Sequence, residues 1–165
     1  INITYGYHLL TKSFDSYLKP SIAQLFAAGK IEELQNTINK ITRIRWAIIL
    51  LFTTYIIISG NSLLLGFGES YNLAYSPLFI LSMFLMIQYL GQPAHEILNY
   101  TGSQETLSGI MALQFLSIAT LCAILIPLYG IVGAVIAQGL PSALATIASA
   151  YTLKKKTSLK LYFLF

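Results

Sequence analysis

The sequence predicts an all-α fold, a polytopic transmembrane helix bundle of about four spans, and three observations carry that reading. Charged residues make up 10% of the 165 residues and hydrophobic residues 56%, whereas a soluble domain carries roughly 25% charged residues. Long stretches hold no charge at all, notably 23 residues from Trp46 to Gly68 and 48 from Thr106 to Leu153. Lysine and arginine gather at the borders of those stretches, where positive-inside topology places them.

Each element follows in order. Residues 1–20 mix apolar and aromatic groups with His8, Lys12, Asp15 and Lys19, so a lipid-facing span is not expected there. Pro20 is read as a restart, with Ser21 as the next N-cap. Ile31, Leu34, Ile38 and Ile41 recur at helical spacing and form one apolar stripe, which suggests an interfacial connector separated from the preceding turn by Gly29 and Lys30. Arg43, Arg45 and Trp46 mark a water–lipid border, where cations snorkel and indoles favour the headgroup level. The first span runs from Trp46 to Gly68 and ends at a turn containing Gly66, Gly68, Ser70 and Asn72. The second runs from about Pro77 to about Tyr89, where Gly91, Gln92 and Pro93 disturb it. A polar turn around Gly102 follows. The 48 uncharged residues after it would make a helix about 72 Å long at 1.5 Å per residue, against a hydrocarbon core of about 30 Å. They must therefore cross twice, near 107–127 and 131–152, reversing at Pro127, Gly130 and Gly133. The chain divides into 1–45, the end of a preceding helix plus a connector; 46–153, the four-span bundle; and 154–165, a basic tail. Ile1 and the apolar Leu161–Phe165 read as cuts within a longer protein.

Counting crossings puts Lys12, Lys19, Lys30, Lys40, Arg43 and Arg45 on the same side as Lys154, Lys155, Lys156 and Lys160. That accounts for all ten bases and makes their side cytoplasmic. The net charge of +4 thus reflects topology rather than a nucleic-acid surface. Cys122 sits inside an apolar run and reads as a buried, inert thiol.

No nucleophile–base–acid set, phosphate loop or Cys/His metal spacing is present, so the chain is not expected to be an enzyme or to hold a cofactor or metal. Polar groups at membrane depth are the remaining candidates. Gln88 and Gln92, four residues apart, and Gln114 read either as a hydrated path for a polar solute or as hydrogen bonds that glue helices together. His8, Lys12, Asp15 and Lys19 form one helical stripe. It reads either as a cavity wall that attracts an anionic headgroup or as a juxtamembrane face with a weak Lys12–Asp15 pair. Gly133-Ala137 and Gly139-Ala143 are small-xxx-small pairs suited to close helix packing, and Pro141 is expected to kink the last span.

Several short pieces occur in a telling order: Lys19-Pro20-Ser21-Ile22-Ala23-Gln24-Leu25, Ala28-Gly29-Lys30 with Leu34, then Arg43 leading into a span. Leu65-Gly66-Phe67-Gly68-Glu69-Ser70-Tyr71 with Ala74 comes next, then Leu98-Asn99-Tyr100-Thr101-Gly102, and last Ile126-Pro127-Leu128-Tyr129-Gly130-Ile131-Val132-Gly133-Ala134. In this order the chain resembles the second half of the polysaccharide (oligosaccharide) flippase family, which groups with the multidrug and toxin extrusion and peptidoglycan-lipid flippase transporters. The resemblance implies twelve to fourteen helices in two lobes around a partly cationic cavity, and alternating-access movement of a lipid-diphosphate-linked glycan across the plasma membrane for surface polysaccharide synthesis. It also implies membrane lipid and the rest of the same transporter chain as partners, and no nucleic acid. By that mapping the spans are about the ninth to twelfth, with Lys12 and Lys19 near the cavity or its cytoplasmic mouth. Two other readings remain. A cation-coupled drug exporter of the same superfamily predicts a titratable carboxylate within a span. A glycan polymerase or glycosyltransferase needs a large charged outer loop.

Overall fold

The computed structural model describes residues 4–157 and residue 159, apart from the side chain of Asn72. Lys160 and the apolar 161–165 segment fall outside the described residues. Among the described residues every regular element is helical: α1 Tyr5–Ala27, α2 Ile31–Leu65, a 3₁₀ turn Glu69–Ala74, α3 Tyr75–Tyr100 and α4 Gln104–Thr157. The helices α2, α3 and α4 are each long and apolar enough to cross a membrane.

The fourth expected span comes from a break inside α4. Gly130 has φ 57° and ψ −129°, a backbone conformation that suits glycine because a Cβ would strain it. The chain reverses there into two arms, 104–129 and 131–157, each about 40 Å long. The reversal is visible in side-chain pairs. Gln114 Nε2 donates to Ser142 Oγ at 3.0 Å, and Lys156 Nζ donates to Thr106 Oγ1 at 2.6 Å. Of the three residues expected to mark the reversal, only Gly130 leaves helical geometry; Pro127 lies within the first arm. Alanine at Gly130 is expected to cost about 1–3 kcal/mol through backbone strain. A denaturant titration of the detergent-solubilised protein, followed by circular dichroism, reads that loss.

Other expected breaks are absent. Pro20 lies inside α1, and the Ser21 hydroxyl donates to the Tyr17 carbonyl one turn back instead of capping a new helix. The interfacial stripe and the first span form one helix, since α2 runs unbroken from Ile31 to Leu65. The break before it is confined to Ala28–Lys30, where Gly29 takes a positive φ of 68°. The second span does not stop near Tyr89, because α3 continues through Gly91, Gln92 and Pro93 to Tyr100. The turn around Gly102 is present and short, and α3 packs more extensively on α4 than on any other element.

Two apolar clusters hold the bundle. The first joins Leu18 and Ile22 of α1, Leu34, Ile38 and Ile41 of α2, Ala94, Ile97 and Leu98 of α3, and Leu107, Ala150 and Leu153 of α4. It gathers the Lys19 end of α1, the N-terminal part of α2 with its bases, the C-terminal end of α3, which carries no lysine or arginine, and both ends of α4. The second joins Tyr7 of α1, Ile49, Ile56 and Leu64 of α2, and Leu78 and Leu90 of α3. The second arm of α4 meets its neighbours through small residues. Gly133, Ala137, Gly139 and Ala143 are all buried, and a Cβ on Gly139 would enter the Phe84 ring. Close approach of this kind replaces the hydrophobic drive that lipid does not supply. The outer face of α4 carries Leu113, Phe115, Leu116, Leu128 and Ile131, each more than 60% exposed, as suits a surface bathed by lipid.

Candidate functional site, a buried arginine between three helices

The stripe of α2 that faces α1 and α3 reads Leu34, Ile38, Ile41, Arg45, Ile49 and Ile56, all buried. Arg45 occupies an apolar position in that series, and its side chain is 0% exposed. The expectation that it snorkels to water is therefore corrected. Arg43, two residues earlier and on another face, is exposed, whereas Arg45 turns into the bundle.

A buried guanidinium needs its donors paired, and three helices supply the partners. Nη1 donates to Asp15 Oδ1 of α1 at 2.7 Å, Nη2 to Gln92 Oε1 of α3 at 2.7 Å, and Nε to the Tyr89 carbonyl at 3.0 Å. Gln92 Nε2 closes the ring by donating to Asp15 Oδ2 at 3.2 Å. The Tyr89 carbonyl is available for a local reason. Pro93, four residues on, has no N–H, so the usual i→i−4 bond cannot form. Arg45 supplies the missing donor, which lets α3 pass through the proline without an orphaned buried carbonyl.

Aromatic rings close the cluster on one side. Tyr7 stacks on Tyr89 with ring centroids 5.6 Å apart and planes 6° from parallel. It also meets Phe52 edge-on at 4.8 Å and shares a 2.7 Å hydrogen bond with Thr53. Thr53 lies eight residues beyond Arg45, about 12 Å further along α2, so α1 follows α2 well past the basic end. On the other side Lys19 of α1 pairs with Glu96 of α3 at 3.2 Å, with the carboxylate side chain only 14% exposed.

The structure thus brings Asp15 and Gln92 together, with Lys19 one turn away. Asp15 pairs with Arg45 rather than with Lys12. The stripe of α1 divides, because His8 and Lys12 are exposed, with the His8 ring near that of Tyr5 at 5.4 Å. Gln88 is half-buried and makes none of these bonds. Gln114 belongs to the α4 hairpin, bonded to Ser142. Arg45, Glu96 and Tyr89 are site residues that sequence reasoning passed over. The signal for Arg45 was its register with Leu34, Ile38 and Ile41, and the signal for Tyr89 was the proline four residues later. No group of three or more metal-ligating side chains occurs among the described residues.

Compared with protein-family models, curated proteins and solved structures, the chain finds no match.

What the arrangement can do follows from its chemistry. It is a charged, nearly closed ring at the seam of three helices. It ties α1 to α2 and α3 through the Asp15–Arg45 pair and the Gln92 amide.

Proposed function

We propose that this chain is part of a multi-pass membrane transporter that flips a lipid-linked oligosaccharide across the plasma membrane by alternating access, within a bundle of twelve to fourteen helices and with its basic ends cytoplasmic. The observation that carries the reading is the Arg45–Asp15–Gln92 ring. Ionised groups within apolar helix bundles are costly and mark polar pathways and moving parts, and a buried ion pair contributes little net stability that apolar packing could not supply. The ordered sequence pieces described above give the substrate class, and Lys12 and Lys19 supply cations on the helix that enters the ring. The test is translocation by the full-length protein. In a deletion strain, glycan on the outer leaflet is expected to fall and to return with the wild-type gene. Unchanged translocation contradicts the proposal.

A second reading, a cation-coupled exporter, gains support from one observation. The ring places the Asp15 carboxylate inside the bundle, and the extension of α3 to Tyr100 adds Glu96; both side chains are 14% exposed. In proteoliposomes this reading predicts efflux of a cationic dye driven by a proton or sodium gradient and lost in Asp15→Asn. The flippase reading predicts no such efflux.

A further inference from the structure

Residues of both arms of α4 line a cleft of about 280 Å³, with Gln114, which bonds Ser142, among them and walls formed by Leu113, Leu121, Leu140 and Leu144. The hydrogen bond takes up the Gln114 amide N–H, and apart from Ser117 the rest of the lining is apolar, so the cleft offers a mainly apolar surface to whatever enters it. It lies on the hairpin whose outer face is lined by exposed apolar side chains. Its lining starts at Ile110, one turn inside Thr106, and at Thr106 the hairpin closes on Lys156, with exposed Lys155 beside it. One hairpin therefore presents an apolar trough about 16 Å long, from Ile110 to Leu121 at 1.5 Å per residue, with cations just beyond its end. Basic groups at the mouth of a gap between transmembrane helices are suited to lipid headgroup phosphates.

We propose that this cleft binds an anionic glycerophospholipid of the surrounding bilayer, with an acyl chain in the trough and the phosphate at Lys155 and Lys156. The charge at the mouth selects an anionic headgroup over a zwitterionic one, and the trough selects an amphiphile over a soluble anion. The inference is independent of the transport reading, because it needs only the hairpin and a bilayer.

The test reconstitutes the chain in phosphatidylcholine vesicles doped with phosphatidylglycerol, extracts it in mild detergent and counts retained lipid by native mass spectrometry. Retention of phosphatidylglycerol over phosphatidylcholine is expected, and Lys155→Gln with Lys156→Gln is expected to cut that preference about thirtyfold, as two cations near a membrane surface allow. Leu144→Trp fills the trough with the lysines intact and is expected to abolish retention of either lipid. All three positions are exposed, and circular dichroism checks that the variants fold. Equal retention of the two lipids by the wild type overturns the proposal. So does a lysine variant that keeps its preference, or a Leu144→Trp variant that still retains phosphatidylglycerol. Displacement of phosphatidylglycerol by an equal amount of a polyprenyl phosphate overturns the assignment to a bilayer phospholipid.

Discussion

Replacing Asp15 with alanine is expected to lower the stability of the bundle by about 3–5 kcal/mol, the range seen when one partner of a buried ion pair is removed. The reason is the position of Arg45. Its guanidinium is fully buried and its Nη1 points at Asp15, so the variant leaves an uncompensated charge among apolar side chains. Gln92 loses a partner in the same step, because its Nε2 donates to the other carboxylate oxygen. Unfolding in mixed micelles, followed by circular dichroism, measures the loss. The double variant Asp15→Leu with Arg45→Met removes both charges at similar volume and is expected to recover most of it, since apolar replacement of a whole buried pair is often neutral or stabilising. That recovery separates two roles. If the ring serves transport, the double variant folds but does not translocate. If the ring only joins helices, stability and transport return together.

The second large effect is expected at Gly133, where alanine forces the arms of α4 apart. A Cβ at this position would overlap the carbonyl of Leu125 on the first arm. The obstacle is backbone, which cannot rotate away as a side-chain tip can. Overpacking of this kind costs about 1–3 kcal/mol, and the hairpin is expected to open near the Gly130 reversal. The same micelle titration reads the energy, and spin labels placed on the two arms read the increased separation.

Much of the architecture was legible in the sequence because its signals are local. Charge-free length sets the number of long apolar arms. Gly102 lies in the turn between α3 and α4, and Gly130 is the point at which the last 48 uncharged residues reverse. The small residues of the final arm face inward as their spacing implied. The misses have a common physical origin, which is that a distant group satisfied what a local rule treats as broken. Pro93 reads as a helix end because it removes a donor, yet Arg45 bonds the carbonyl left behind. Arg45 reads as a border cation because it stands beside Arg43 and Trp46, yet Asp15 and Gln92 make its burial tolerable. Gly91 and Gln92 read as a disturbance, yet Gly91 is buried within α3 and Gln92 holds two of the ring's bonds. Of the candidate path residues, Asp15, Lys19 and Gln92 converge because they share the level at which α1, α2 and α3 cross. His8, Lys12, Gln88 and Gln114 share only type and spacing with them, and those do not report which helix comes alongside.

A four-span topology requires the chain to cross a bilayer an even number of times between its two basic regions. With Cys122 replaced by alanine, single cysteines at Arg43 and at Lys155 can be probed in sealed, oriented vesicles with a membrane-impermeant maleimide. Both are expected to react from the same face and neither from the other. Labelling of the two positions from opposite faces contradicts that topology.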